Sequence, residues 1–410
     1  MIFIPNSSRK AFMNYLIIGN GVAGTTAAEQ IRKNDPQGSI KIFTDESYPF
    51  YSRIRLMEYL AGEVEIPKLQ IRSNAWYDQQ KIQLFLNTKV VDIDVPGKTV
   101  LTQAGERHSF DKLLLADGSH SFVPPISGAD KKGVFTLRNI KDAQEIKNFA
   151  AGKGHALLIG GGVLGLEVGN SLRKTGLKVS VVEFFSRLLP RQTDPVCASL
   201  LQTRLEEMGL TFYLGVASKE IFGENQVKGL LLEDGRRIET DLIIISAGVR
   251  PNLDLAQKIN LKIGKGLVVS DYLETGLPGI YAAGDAIEHK GMLYGIWPAS
   301  EKQGEVAGMN MAGKPTAYAG NTPSNLLKIA GIDLLAAGNI DPDNKLESWV
   351  DQNPEGSTYR KLVIKENRIV GCLLFGTLEG RRSILKAMEE KRDISAVKDR
   401  LSKFQVEVLN

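Results

Sequence analysis

Apolar positions along the chain follow two textures, and the same succession of textures occurs twice. The continuous run Tyr15-Leu16-Ile17-Ile18 ends at Gly19 and gives way to a helical period over about Val22 to Arg32. The loop Asn34-Asp35-Pro36 then precedes a second β-like run, Ser39 to Phe43. Further along, Ala156-Leu157-Leu158-Ile159 ends at Gly160, a helical period covers about Val163 to Lys174, and Lys178 to Val182 is again β-like. Short buried runs alternating with helical periods predict strand–helix–strand units, with strands over 14–18 and 155–159 heading the two. The units lie 141 residues apart, a spacing that suits separate domains rather than a solenoid.

Shorter β-like segments follow each unit: Leu84 to Ile93 and Thr99 to Leu101 after the first, Thr211 to Leu214 and Val227 to Glu233 after the second. Both sets close on a similar phrase, Leu113-Leu114-Leu115-Ala116-Asp117-Gly118 and Ile243-Ile244-Ile245-Ser246-Ala247-Gly248. A buried strand running into a small residue and a glycine marks a sharp turn or a close approach to a ligand, which makes Ala116 and Gly248 candidate binding positions. After Asn325 the texture changes: Tyr359 to Ile364 and Ile369 to Phe375 alternate like antiparallel strands, and a charged amphipathic helix runs from about Arg381 to Glu390. The fold class read from this is α/β, two Rossmann-like three-layer domains plus a small α+β C-terminal domain at 325–410.

Composition narrows the function. A net charge of +4 over 410 residues is too small for nucleic acid to be the main partner. No stretch reaches the roughly 18 apolar residues that span a bilayer, so no membrane is expected, and Met1–Met13 reads as a loose extension. Two distant cysteines, Cys197 and Cys372, offer no disulfide framework and fit a reducing cytoplasm. Each reads as core packing. The four histidines, His108, His120, His155 and His289, have no ligand-like spacing, so no metal is expected.

The glycine patterns carry the chemistry. Gly19-Asn20-Gly21-Val22-Ala23-Gly24 and Gly160-Gly161-Gly162-Val163-Leu164-Gly165 each follow a strand and open a helix. In this grammar the first glycine makes the turn and the second admits a pyrophosphate. The third lets helix and strand pack closely. The helix N-terminus then offers free N–H groups and a positive dipole to the phosphates. An acidic residue ends the next strand in both units: Asp45-Glu46 in the first and Glu183 in the second. A carboxylate at Glu183 accepts from ribose hydroxyls and repels a 2′-phosphate, which favours NADH over NADPH. Arg187 and Arg191 nearby can accommodate that phosphate and argue the other way.

A third phrase, Thr275-Gly276-Leu277-Pro278-Gly279-Ile280-Tyr281-Ala282-Ala283-Gly284-Asp285, resembles the second flavin-binding motif of the FAD-dependent pyridine-nucleotide oxidoreductases. With Pro49 to Leu56, Arg187 to Asp194 and Trp297 to Gly304, it makes the chain after residue 13 similar to NAD(P)H:rubredoxin reductases and the flavin portion of NADH-dependent nitrite reductases. Ferredoxin reductases and apoptosis-inducing factor are more distant likenesses. The resemblance implies a discontinuous FAD domain at 13–120 and 246–324, interrupted by an NAD(H) domain at 121–245. It places Asp285 after Gly284 at the ribitol, Arg53 near the FAD pyrophosphate, and Trp297 and Ala299 at the pyrimidine end of the flavin. A helix starting near Ala299 would aim its positive end at the charge of a reduced flavin.

One departure stands out. Ferredoxin reductases commonly pair a Lys after their Arg-Pro-Pro-Leu with a Glu on the nicotinamide-domain helix; here Met57-Glu58 stand there and the helix Glu is kept as Glu167. Arg55 is the expected substitute partner of Glu167, because an unpaired carboxylate is costly to bury. The implied reaction carries hydride from NADH to FAD and single electrons onward to a small redox protein, rubredoxin or ferredoxin. Thr44 to Leu60 holds no redox cysteine, so electrons leave from the flavin itself. Rival readings are the flavin subunit of a nitrite reductase, an NADH oxidase reducing oxygen or a quinone, and a redox-sensing NAD-binding flavoprotein. Monomer and homodimer are both compatible.

Overall fold

The computed structural model describes residues 12–321, 324–353 and 355–409; the extension expected at the N-terminus lies, up to Ala11, outside them. Two compact units are formed. Of the described residues, one holds those from 12 to Ser52, Pro67–His120 and Val249–Asn321; the other holds Arg53–Ile66, Ser121–Gly248 and those from 324 onward.

The first unit is built on a parallel five-stranded sheet in the order Ile280–Ala282, Lys112–Leu115, Asn14–Ile18, Ser39–Phe43, Ile82–Phe85. Leu16, Ile17, Leu113, Leu114 and Ala282 are wholly buried, as a sheet covered on both faces requires. The segment read as one β run, Leu84 to Ile93, is two strands, because Asn87 takes a left-handed backbone (φ 52°) and turns the chain before Val90–Asp94. Val90–Asp94 pairs with Thr99–Thr102, which in turn pairs with Arg107–Ser109, in a small antiparallel sheet. The helix Val22–Asn34 packs on the helix Trp297–Met311 along a stripe of small residues. A Cβ on Gly304 would lie 2.4 Å from Ala23 O, and one on Gly308 2.5 Å from Ala27 O, so the two backbones approach as closely as glycine allows.

The second unit repeats the plan. Its parallel sheet runs Leu210–Leu214, Lys178–Glu183, His155–Ile159, Leu242–Ile245, Val134–Phe135, with the antiparallel strands Ser218–Phe222, Gly229–Leu232 and Arg237–Glu239 beside it. The helix Val163–Lys174 follows the second glycine pattern. The C-terminal segment adds an antiparallel sheet ordered Ser324–Ile329, Ile332–Gly338, Arg368–Phe375, Tyr359–Lys365, Glu347–Gln352, with the helix Arg381–Glu389 packed on it. One apolar cluster joins this sheet to the rest of the unit: Leu166, Leu188, Leu189 and Leu201 pack with Ile329, Leu334, Tyr359 and Phe375. No helix among the described residues is long and apolar enough to cross a membrane.

Candidate functional site: two nucleotide cradles

The first cradle begins where strand Asn14–Ile18 ends. Gly19 has φ 106°, and a Cβ there would sit 2.1 Å from Ala116 O, so no side chain fits. A Cβ on Gly24 would fall 2.0 Å from Gly19 O, which is the close helix–strand contact the third glycine serves. Gly21, between them, faces open space, with nothing within 4 Å of a Cβ position. Gly21 is also the N-cap of the helix, and no side chain caps it. Free N–H groups and a positive helix end therefore face open space that a pyrophosphate can fill.

A polar group missed in the sequence reinforces this. Asn20 accepts at Oδ1 from the Tyr77 hydroxyl (2.8 Å) and from Thr25 Oγ1 (3.3 Å), while its buried Nδ2 has no partner. An orphaned donor inside the fingerprint suits an anionic ligand. Gly284 and Asp285 come to the same cradle from far down the chain: a Cβ on Gly284 would lie 3.2 Å from Ala23 Cβ. Asp285 accepts from Ser119 Oγ at 2.9 Å and Ser300 Oγ at 3.4 Å, and Gly284 N–H donates to Gln303 Oε1 at 2.9 Å. Ala116 N–H donates to Ile18 O (2.8 Å), which holds the neighbouring loop against Gly19.

Other expected residues of this unit are placed as follows. Asp45 is exposed at the end of strand Ser39–Phe43, and the Glu46 carboxylate accepts from the Tyr51 hydroxyl. Trp297 opens its helix, two residues before the expected start, with its ring 5.8 Å from that of Phe50; Ala299 is fully buried. The helix N-terminus at Ile296 has no side-chain cap. Beside Ala116, the Asp117 carboxyl is pushed up to about 7 by burial, with Asp254 and Asp45 adding to the rise.

The second cradle repeats the geometry. Gly160 has φ 116°, with Ser246 O 2.3 Å from its Cβ position; Gly165 is 2.2 Å from Gly160 O by the same measure, and Gly162 faces open space. Gly248 likewise has nothing within 4 Å, and its carbonyl accepts from Phe122 N–H. Glu183 is buried, and two backbone donors fix its carboxylate: Gly161 N–H on Oε2 at 2.6 Å and Phe185 N–H on Oε1 at 2.9 Å. The acid that would meet a ribose is thus tied directly to the glycine loop. Arg187 turns back on its own loop, donating to Pro190 O (3.2 Å) with its buried Nε unpartnered, while Arg191 is exposed.

Arg53 to Ile66 belongs to this second unit. Arg53 Nη1 donates to Arg138 O at 2.6 Å. The expected Arg55–Glu167 pair does not form. Arg55 binds Glu58, three positions on, at 2.7 Å, and Glu167 Oε1 accepts the backbone N–H of Ala330 at 2.7 Å. Burial raises the Glu167 pKa, while that N–H and the charge of Lys174 pull it back. A backbone donor from the turn between the first two C-terminal strands thus does the work assigned to a cation. Glu58 is thereby paired with its own arginine. Both thiols are buried: burial pushes Cys197 above its usual range, with Asp194 adding, and pushes Cys372 up to about 12. Among the described residues no cluster of His, Cys, Asp and Glu can hold a metal ion.

Two strand–glycine–helix cradles, one closed by a distant Gly-Asp, define a protein that holds two dinucleotides. The chain belongs to the family described as pyridine nucleotide-disulphide oxidoreductase, whose model matches residues 13–304; residues 323–392 match the rubredoxin NAD+ reductase C-terminal domain. It is 36% identical over 388 residues to the assimilatory nitrate reductase electron transfer subunit of Bacillus subtilis, covering 94% of this chain and 50% of that protein. It is 30% identical over 383 residues to the NADH-rubredoxin oxidoreductase of Clostridium acetobutylicum, covering 93% and 96%. The solved structure of a NAD-dependent persulfide reductase from A. fulgidus superposes with a TM-score of 0.88 at 26% identity, covering 94% of this chain and 79% of that one. The chain spans about half the length of the first two curated relatives it matches.

Proposed function

We propose that the chain is a FAD-dependent NAD(P)H oxidoreductase that takes reducing equivalents from NADH and passes electrons to a small redox protein such as rubredoxin. The observation that carries this is the doubled cradle, with Gly284-Asp285 assigned to the first site and the pinned Glu183 to the second. FAD is assigned to Gly19, Gly21, Gly24, Asp45, Glu46, Ala116, Gly284, Asp285, Trp297 and Ala299. NAD(H) is assigned to Gly160, Gly162, Gly165, Glu167, Glu183 and Gly248. Bound flavin would supply the exchange between two-electron and one-electron chemistry.

The protein's part is binding and electrostatics. Gly21 and Gly162 admit pyrophosphates to helix N-termini, and Asn20 Nδ2 supplies a donor that has no other partner. Glu183 selects an unphosphorylated ribose. Neither cysteine is a candidate for thiol chemistry, since both are buried with raised pKa values.

Likeness over 96% of the NADH-rubredoxin oxidoreductase supports this reading. Coverage of 50% and 48% of the two Bacillus subtilis relatives supports a second reading, the flavin-bearing part of a larger nitrate- or nitrite-reducing system. Mixing the NADH-reduced protein with rubredoxin, ferredoxin, nitrite and oxygen in a stopped-flow instrument separates the readings. The first predicts fast reoxidation by rubredoxin or ferredoxin and slow reoxidation by nitrite and oxygen. Fast reoxidation by oxygen alone would contradict it.

A further inference from the structure

The strongest polar feature outside the cradles is a buried ion pair. Lys361, on strand Tyr359–Lys365 of the C-terminal sheet, has no exposed surface, and the Asp194 side chain is 3% exposed. Lys361 Nζ reaches Asp194 Oδ2 at 3.3 Å, Asp341 O at 2.9 Å and Asn344 Oδ1 at 2.8 Å, which uses all three of its donors. The Tyr359 hydroxyl donates to the same Asp194 Oδ2 at 2.7 Å. Asp194 Oδ1 accepts Cys197 N–H at 2.9 Å and so caps the helix Pro195–Glu207.

Asp194 also ends the loop that lies against the second glycine pattern. Thr193 Oγ1 donates to Leu188 O (2.8 Å) and Leu189 O (2.9 Å). Leu189 N–H donates to Gly161 O (3.4 Å), and Leu188 Cδ2 lies 2.9 Å from the Cβ position of Gly161. Gly161 N–H in turn holds Glu183. A contiguous set of contacts therefore runs from the C-terminal sheet to the acid that selects the ribose. Leu189 sits at φ 50°, a left-handed conformation that a leucine keeps only where its surroundings impose it.

We propose that Lys361 and Tyr359 are positioning residues of the nicotinamide-nucleotide cradle, acting through Asp194 on the loop Arg187–Gln192. Docking of the C-terminal sheet does not itself need them, because the shared apolar cluster already joins it to the helices Val163–Lys174 and Pro195–Glu207. A buried ion pair adds little net stability over apolar packing, but its several directed bonds specify one geometry. Here that geometry is the register of Asp194, and with it the seat of Leu188 and Leu189 on Gly161. The contact of Glu167 with Ala330 ties the same sheet to the helix that follows the fingerprint, so the cradle is held on two sides.

The inference rests on assigning the second cradle to NAD(H), and its test separates the two claims. The full-length, FAD-loaded protein and its Lys361→Met and Tyr359→Phe variants are compared for NAD+ affinity by calorimetry. NADH-dependent ferricyanide reduction, FAD content and Tm are measured alongside. Lys361→Met is expected to raise the NAD+ Kd and the NADH KM about fivefold, with kcat at saturating NADH and FAD content within about twofold of the parent. Tyr359→Phe, which keeps the packing, is expected to raise both about twofold at an almost unchanged Tm. Unchanged Kd and KM in both variants, with only Tm lowered, would overturn the inference and leave the functional reading standing. Failure of the parent protein to bind NAD+ or NADH would overturn both.

Discussion

Glu183 is the side chain on which the proposed nucleotide selectivity rests. Its carboxylate is held by Gly161 N–H and Phe185 N–H, so it cannot swing away without releasing two backbone donors, the first of them buried. Glu183→Gln is expected to cut the kcat/KM preference for NADH over NADPH at least about tenfold, because the charge that repels a 2′-phosphate is removed and the amide nitrogen can no longer accept one of the two backbone N–H groups. Steady-state kinetics with both nucleotides check it. Asp117 carries a pH dependence. Its folded pKa, raised to about 7, lies above its unfolded value, so the folded state binds the extra proton and stability falls as pH rises through this window. Asp117→Asn should therefore raise Tm by a few degrees at pH 8 and little at pH 5, measured by thermal unfolding. Residues of this kind were half legible in the sequence. Glu183 was, because it ends a strand beside a fingerprint. The partner of Glu167 was not: a backbone N–H at Ala330, 163 positions away, leaves no side-chain signature, and Arg55 had a nearer acid in Glu58.

At the scale of elements, the glycine stripe between two helices controls the first cradle. Gly304 and Gly308 set the helix Trp297–Met311 against Ala23 and Ala27, whose helix N-terminus faces the pyrophosphate site. Gly304→Val forces those backbones apart, at a cost of about 1–3 kcal/mol by overpacking. It is expected to lower FAD retention on purification, read as the ratio of flavin to protein absorbance, with the second cradle's NAD+ affinity unchanged. The strand–glycine–helix units were readable because their grammar is local: Val163–Lys174 and Ser39–Phe43 fall where the apolar period puts them. Strand Ser218–Phe222 escaped detection because Lys219 and Glu220 are exposed and interrupt the apolar pattern. The strands from residue 324 to Gly338 and Glu347–Gln352 owe their register to pairing across the C-terminal sheet rather than to a local period.

The whole molecule combines two copies of one binding plan with a C-terminal sheet. An interrupted nucleotide domain was open to expectation only because Gly284-Asp285 signals a return of the chain. The buried contact between Lys361 and Asp194 was not, since the two lie 167 positions apart and a lysine in a strand ordinarily reads as solvent-exposed. The central claim is that the two cradles hold FAD and NADH and exchange reducing equivalents. Anaerobic titration of the FAD-reconstituted protein with NADH, followed by visible absorbance, tests it most directly. A yellow protein is expected, whose flavin band bleaches fully with stoichiometric NADH and far more slowly with NADPH. A protein that takes up no FAD, or a flavin band that NADH leaves unchanged, would contradict it.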